Sequence, residues 1–191
     1  METDINPRRI FEETRALLDG HFELRSGLHS NQYFQCALVL QYPRQAEVLC
    51  RALGARVAAA LEGPPAGVIA PALGGIPVGH ELGRYFGTKA IFAEKQEGRL
   101  VLRRGFAIEP GAAYVVGEDV ITRGGRVQET MDIVTGRGGV VAAVAVLVNR
   151  SGGAFQPEVP LVSLLEMTPV TWAPTDCPLC RAGVPIDHPG S

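Results

Sequence analysis

Ala113-Tyr114-Val115-Val116-Gly117-Glu118-Asp119-Val120-Ile121-Thr122-Arg123-Gly124-Gly125-Arg126 is the stretch that decides how this chain reads. Its apolar opening at 114–116 predicts a buried strand that ends in two adjacent carboxylates, Glu118 and Asp119. Thr122 and the Gly124-Gly125 pair predict a tight turn, with a helix following over about 127–134. Backbone N–H groups fan out at such a turn, glycine lets a ligand approach the main chain, and a helix start favours negative charge. The turn therefore suits a phosphate group. The carboxylates stand at the strand's carboxyl end, where open α/β sheets bind ligands, and they can hold hydroxyls. The combination points to a phosphorylated sugar. An ordinary strand–turn–helix with an acidic turn is the plainer alternative.

Outward from this motif, helical and strand patterns alternate. Residues 7–18 carry apolar positions among charges and predict an amphipathic helix ending near Gly20. Residues 21–35 alternate around Ser26-Gly27 and predict two short strands joined by a turn. Residues 43–61 predict a helix opened by Pro43 and stopped by Gly63-Pro64-Pro65. A short strand over 67–70 then enters the loop Ala72-Leu73-Gly74-Gly75 and a helix over about 78–86. Strand, glycine-rich loop and helix is again an anion-cradling arrangement, or a plain connection. Residues 90–93 predict a strand, and 96–104 read as a hairpin with a basic face. The apolar run 140–148 fits a central parallel strand buried on both faces, and 161–165 a last strand. Such alternation predicts an α/β fold with a mostly parallel sheet and helices on both faces. Arg150, just beyond the central strand, points toward the ligand crevice, either to pair with Glu118 or Asp119 or to meet a ligand.

Composition bounds the rest. The 191 residues are 46% hydrophobic and 20% charged, as expected of one globular domain with a full core. A net charge of −2 gives no basis for a nucleic-acid or membrane partner. No apolar run approaches the ~20 residues of a membrane span, and the charged N-terminus lacks a signal peptide's apolar centre. A cytoplasmic location is expected. Of the 18 basic residues only Lys89 and Lys95 are lysines. The cysteines Cys36, Cys50, Cys177 and Cys180 are expected to be reduced, with no disulfide framework. Cys177 and Cys180 form a lone Cys-x-x-Cys, which alone is weak evidence for zinc. Completion by His188 with Cys36 or Cys50 would need a coincidence of folding, so the tail is taken as structural.

The fourteen-residue motif closely resembles the phosphoribosyl pyrophosphate (PRPP) signature of type I phosphoribosyltransferases. The pattern Phe22-x-Leu24-x-Ser26-Gly27-x-x-Ser30-x-x-Tyr33 resembles the hood segment of the orotate phosphoribosyltransferases, and the order of motifs matches that family over nearly the whole chain. The resemblance implies a type I phosphoribosyltransferase-like single domain over 1–191. Its core would span about 43–150, and a small hood would form from the N-terminal hairpin and C-terminal segment, about 20–40 and 160–191. It implies transfer of the phosphoribosyl group from PRPP to orotate with Mg2+, giving orotidine 5′-monophosphate and pyrophosphate in pyrimidine biosynthesis.

By the same resemblance Lys95, Glu118 and Asp119 are catalytic, and PRPP is held by Glu118, Asp119, Val120, Ile121 and the loop Thr122, Arg123, Gly124, Gly125 and Arg126. Ala72, Leu73, Gly74 and Gly75 form the pyrophosphate loop. Some relatives carry Lys where this chain has Gly74, so anion contacts here should come from backbone N–H groups. Thr122, Arg150, Phe34 and Arg25 meet orotate, and Mg2+ is held mainly through PRPP and water. Lys95 lies on a mobile loop that works in the neighbouring subunit's site, which implies a homodimer. Arg103 and Arg104 could supply the charge that relatives carry where this chain has Glu94, and Arg123 and Arg126 add charge to the phosphate loop or face solvent. Cys-Pro-x-Cys endings occur in a subset of the family. The alternatives are a purine-type phosphoribosyltransferase and a PRPP- or nucleotide-sensing protein without turnover.

Overall fold

A computed structural model describes residues 5–24 and 26–189. In chain order the elements are α1 (Pro7–Glu13), β1 (Leu17–Glu23), β2 (His29–Phe34), α2 (Ala37–Leu40), α3 (Pro43–Ala60), β3 (Gly67–Pro71), α4 (Gly75–Phe86) and β4 (Lys89–Gln96). There follow β5 (Arg99–Leu102), β6 (Ala113–Ile121), α5 (Gly125–Thr135), β7 (Val140–Asn149), β8 (Leu161–Glu166), β9 (Thr171–Trp172), a 3-10 turn (Pro174–Asp176) and α6 (Pro178–Arg181).

Six strands form one sheet in the order β5-β4-β3-β6-β7-β8, and only the β4–β5 pair is antiparallel. The chain leaves β3 through α4 to β4 on one side, then returns to place β6 on the other. Strand order thus reverses between β3 and β6, and the loops after these two adjacent strands open on one crevice.

Alternate residues of the central strands serve two cores. Val115, Ala143, Ala145 and Leu147 face one side, with Leu49, Leu53 and Leu82 of the helices α3 and α4. Tyr114, Val116, Val144 and Val146 face the other, with Val127 and Val134 of α5. Burial on both faces explains why β7 reads as a continuous apolar run instead of an alternating one. Among the described residues, no helix is long and apolar enough to cross a membrane.

Several boundaries move. The first helix stops at Glu13, because Leu17 and Leu18 extend instead into β1, paired with Phe34 and Tyr33. Leu161–Glu166, grouped with the C-terminal hood by sequence, pairs in parallel with β7 and belongs to the large sheet. The short helix α2 carries no sequence signal strong enough to predict it.

A second sheet, in the order β1-β2-β9, stands apart from the first. A bulge between Asp19 and Phe22 breaks the alternation of β1, so that His21 and Phe22 are buried in succession. The tail cysteines meet neither His188 nor the other two cysteines. His188 lies 3.2 Å from Glu23, and Cys36 and Cys50 are packed in the main core. The neighbours of Cys177 and Cys180 are His21 and His29, which no sequence motif singled out.

Leu147 is fully buried in the core shared with α3. Leu147→Ala should cost about 2–5 kcal/mol of stability. Urea unfolding should show the midpoint fall at unchanged slope, and a loss below ~1 kcal/mol would contradict the packing described.

Candidate functional site

β6 runs past the two acids to Ile121, so Glu118 and Asp119 lie within the strand and not at its end. Glu118 pairs with Val146 of β7, and its side chain is 3% exposed. Each carboxylate is held by the backbone that follows it. The Asp119 N–H donates to Glu118 Oε1 at 3.1 Å, and the Val120 N–H to Asp119 Oδ1 at 2.9 Å.

The loop 72–75 packs directly over this pair. A Cβ built on Gly74 would stand 2.5 Å from Asp119 Oδ2, and one on Gly75 would stand 2.9 Å from Glu118 Oε1. A side chain at either position would push the tip of a carboxylate aside, so glycine lets the loop lie this close to the pair. The Ala72–Leu73 peptide is cis, and Leu73 is exposed.

Beyond Ile121, Thr122 and Arg123 are exposed and Gly124 turns into α5 with φ +74°. A Cβ at Gly124 would meet the Phe155 ring at 2.0 Å, so both conformation and space require glycine there. Gly124 caps α5 without a side-chain bond, leaving the first helical N–H groups directed into the turn. Arg126 does not face solvent freely. Its guanidinium donates to the Ala72 carbonyl and lies 4.0 Å from Glu118 Oε2, which ties the two loops together. Arg123 forms no ion pair among the described residues.

Burial, and then the charge of Asp119, push the Glu118 carboxyl up to about 9, while Arg126 pulls the other way. Glu118 therefore carries its proton near neutrality. Burial also holds the nearby Cys36 thiol far above its ordinary value, which leaves it an inert neighbour 3.9 Å from the Asp119 carbonyl.

Arg150 is anchored through its N–H to the Ile121 carbonyl at 2.7 Å, beside the turn. Among the described residues it forms no ion pair with Glu118 or Asp119, which removes the structural alternative for it. Its buried Nε and the buried Oγ of Ser151 have no hydrogen-bond partner among the described residues. Burial lowers the guanidinium pKa, although arginine stays charged in proteins. An unmatched buried donor costs about 1–3 kcal/mol, which an acceptor on a ligand would offset. Ser151 was not foreseen. Its only signal is that it follows Arg150 at a central strand's carboxyl end.

Other expected residues are placed differently. Lys95 is exposed within β4, opposite Leu100, instead of in a loop after the strand. The β4–β5 turn is closed by Glu97 and Gly98, both at positive φ, as a tight two-residue hairpin. Arg103 and Arg104 both turn to Glu94, at 3.8 and 2.9 Å, so their charge is partly neutralised. Phe34 is 8% exposed and meets Phe11 edge-on at 5.2 Å, which commits its ring to the core. Arg25 lies outside the described residues.

No protein-family model matches the chain. It is 52% identical over 182 residues to the orotate phosphoribosyltransferase of Pelotomaculum thermopropionicum, covering 95% of this chain and 94% of that one. The orotate phosphoribosyltransferase of Heliobacterium modesticaldum is 50% identical over 95% of each. Among solved structures, the orotate phosphoribosyltransferase from Aeropyrum pernix superposes with a TM-score of 0.64 at 24% identity, over 83% of this chain and 92% of that one. The adenine phosphoribosyltransferase from Rhodothermus marinus also gives 0.64, at 21% identity over 85% and 100%. At such identities the structures speak for the fold alone, which is that of the type I phosphoribosyltransferases.

Because Glu118 holds its proton in the fold to a far higher pH than in the unfolded chain, its contribution to stability is present at acid pH. It is lost progressively as pH rises toward about 9. Glu118→Gln removes that dependence. Melting temperatures of the ligand-free proteins should diverge with rising pH, the variant becoming the more stable by at most ~1.4 kcal/mol per pH unit. A constant difference across that range would rule out the buried proton.

Proposed function

Since the chain belongs to the orotate phosphoribosyltransferase family and transfers the phosphoribosyl group of PRPP to orotate in pyrimidine biosynthesis, we propose the roles its own residues play in that transfer. The observation that carries the assignment is the close approach of Gly74 and Gly75 to Asp119 and Glu118. It joins an anion-cradling loop to a pair of hydroxyl-binding carboxylates, as the two ends of PRPP require.

The 5′-phosphate sits at the open N-terminus of α5, held by N–H groups of the loop 122–126 and by the hydroxyl of Thr122, with Arg123 adding charge from its exposed position. Asp119 and Glu118 take the ribose hydroxyls, and the proton on Glu118 allows it to donate as well as accept. Val120 and Ile121 carry the strand into the loop. The pyrophosphate lies along 72–75, bound through main-chain N–H groups, because Gly74 offers no side-chain donor of its own. Arg126 keeps the two loops in register through the Ala72 carbonyl. Thr122 and Arg150 hold orotate. The free Nε of Arg150 and the Ser151 hydroxyl are donors suited to its carboxylate and carbonyl oxygens. Phe34 supports the base site from within the core, and the small sheet serves as the hood over it.

The ribose carbon becomes electron-poor as pyrophosphate departs, and the attacking ring nitrogen of orotate is already electron-rich. No side-chain nucleophile is needed, so catalysis rests on positioning and on stabilising the leaving group's charge. Lys95 supplies that charge from β4. Its exposure on the outer hairpin supports a homodimer in which it reaches the neighbouring crevice. The oxygens of Asp119 and Glu118 are hard donors of the kind Mg2+ takes, so these residues would help hold the ion in the crevice. When bound, the ion neutralises the pyrophosphate. A cytoplasmic location agrees with this chemistry.

Purified protein should consume orotate, followed by its ultraviolet absorbance, only when PRPP and Mg2+ are both present. Asp119→Asn should lower kcat by ~100-fold or more while PRPP binding, read by calorimetry, persists. A fully active Asp119→Asn enzyme would refute the role given to the carboxylate.

Arg150→Ala should raise the KM for orotate by ~10- to 100-fold, the loss of a hydrogen bond to a charged group. The KM for PRPP should change far less. Equal changes for both substrates would remove Arg150 from the base site.

A further inference from the structure

His21 on β1, His29 on β2, and Cys177 and Cys180 on one helical turn of the tail converge away from the crevice. Their ligand atoms all lie within 4.8 Å of one another. His21 Nε2 is 3.0 Å from His29 Nδ1, 3.4 Å from Cys177 Sγ and 3.6 Å from Cys180 Sγ, and Cys180 Sγ is 3.3 Å from His29 Nδ1. Zinc binds sulfur at about 2.3 Å and imidazole nitrogen at about 2.0–2.1 Å. A tetrahedron with those radii has edges of about 3.3–3.8 Å, close to the separations found.

Hydrogen bonding within the cluster does not explain this convergence. His21 Nδ1 lies 2.8 Å from the Val184 carbonyl, which can only accept, so Nδ1 carries the hydrogen. In the neutral ring Nε2 then offers one lone pair, yet three polar atoms crowd around it. One lone pair cannot serve three donors, whereas one cation at the centre serves all four groups. The Val184 carbonyl is also the kind of outer partner that fixes the tautomer and orientation of a metal-bound histidine.

We propose that His21, His29, Cys177 and Cys180 form a structural zinc site that clasps the C-terminal tail to the β1–β2 hairpin. Two thiolates and two neutral imidazoles balance the charge of a divalent ion, so the filled site is neutral and tolerates burial. His21, His29 and Cys177 are buried, and Cys180 closes the exposed side. All four positions of a tetrahedron are taken by protein, so no coordination site is open for chemistry. The bulge at Gly20 and His21 turns His21 inward, and the turn from Cys177 to Cys180 places both sulfurs on one side. The ion would thus join two segments far apart in the chain, the β1–β2 hairpin and the C-terminal tail. The proposal is independent of the roles assigned to the crevice.

Protein expressed in zinc-containing medium and purified without chelator should carry about one zinc ion per chain by elemental analysis. Cys177→Ser should lose it. The wild-type chain provides a readout that does not depend on that variant folding. After zinc is stripped with a chelator, added Co2+ should give the intense visible absorption of a tetrahedral thiolate–imidazole site. Cys180 should become reactive to a thiol reagent on stripping and protected again on refilling. Metal-poor protein that gives a featureless Co2+ spectrum would overturn the proposal. So would a disulfide between Cys177 and Cys180 in the purified protein.

Discussion

Bare backbone at Gly74 and Gly75 sets how near the loop after β3 comes to the carboxylates of β6, and the crevice follows from that distance. The parallel pairing of Val68 with Val115 and Ile69 with Val116 brings the two strands side by side. Glycine then lets their loops close over the acids. Closure shields Glu118 from water, and that shielding raises its affinity for a proton. It also brings the Ala72 carbonyl within reach of Arg126. A loop held farther out would solvate Glu118, release Arg126 and part the loop 72–75 from the turn 122–125.

Several charges among the described residues are paired away from the crevice. Lys89 binds Glu109, Arg84 binds Glu81, and Glu94 gathers both Arg103 and Arg104. Such exposed pairs contribute little to stability. Lys95 and Arg123 remain outside ion pairs among the described residues. Lys95 stands two positions beyond Ala93, which pairs with the last residue of β3, so it lies at the crevice rim.

The long apolar strands and the glycine turns were legible because burial on two faces and close backbone approach leave few residue choices. Val140–Asn149, Pro43–Ala60 and the turn at Gly124 appear within a residue or two of their expected limits. Leu17 and Leu18 fit a helical stripe equally well, and only pairing with Phe34 and Tyr33 drew them into a strand. Nothing in the sequence signalled that the Phe34 ring packs edge-on against Phe11. Arg126 and Glu94 were ambiguous for a related reason, since their partners Ala72 and Arg104 are set by tertiary contact. The two histidines beside the tail cysteines were hidden by distance along the chain, Cys177 lying 156 residues from His21.

The small sheet is guarded by a single segment. β9 pairs along the outer side of β2 through His29 and Ser30, and farther on Asp187 exchanges hydrogen bonds with His21 and Glu23 along the outer side of β1. Unpaired strand edges are templates for a strand from another chain, and here one tail covers both. The two edges are therefore not independent. Whatever loosens the tail frees both paired stretches, at His29 and Ser30 and at His21 to Glu23, in one step.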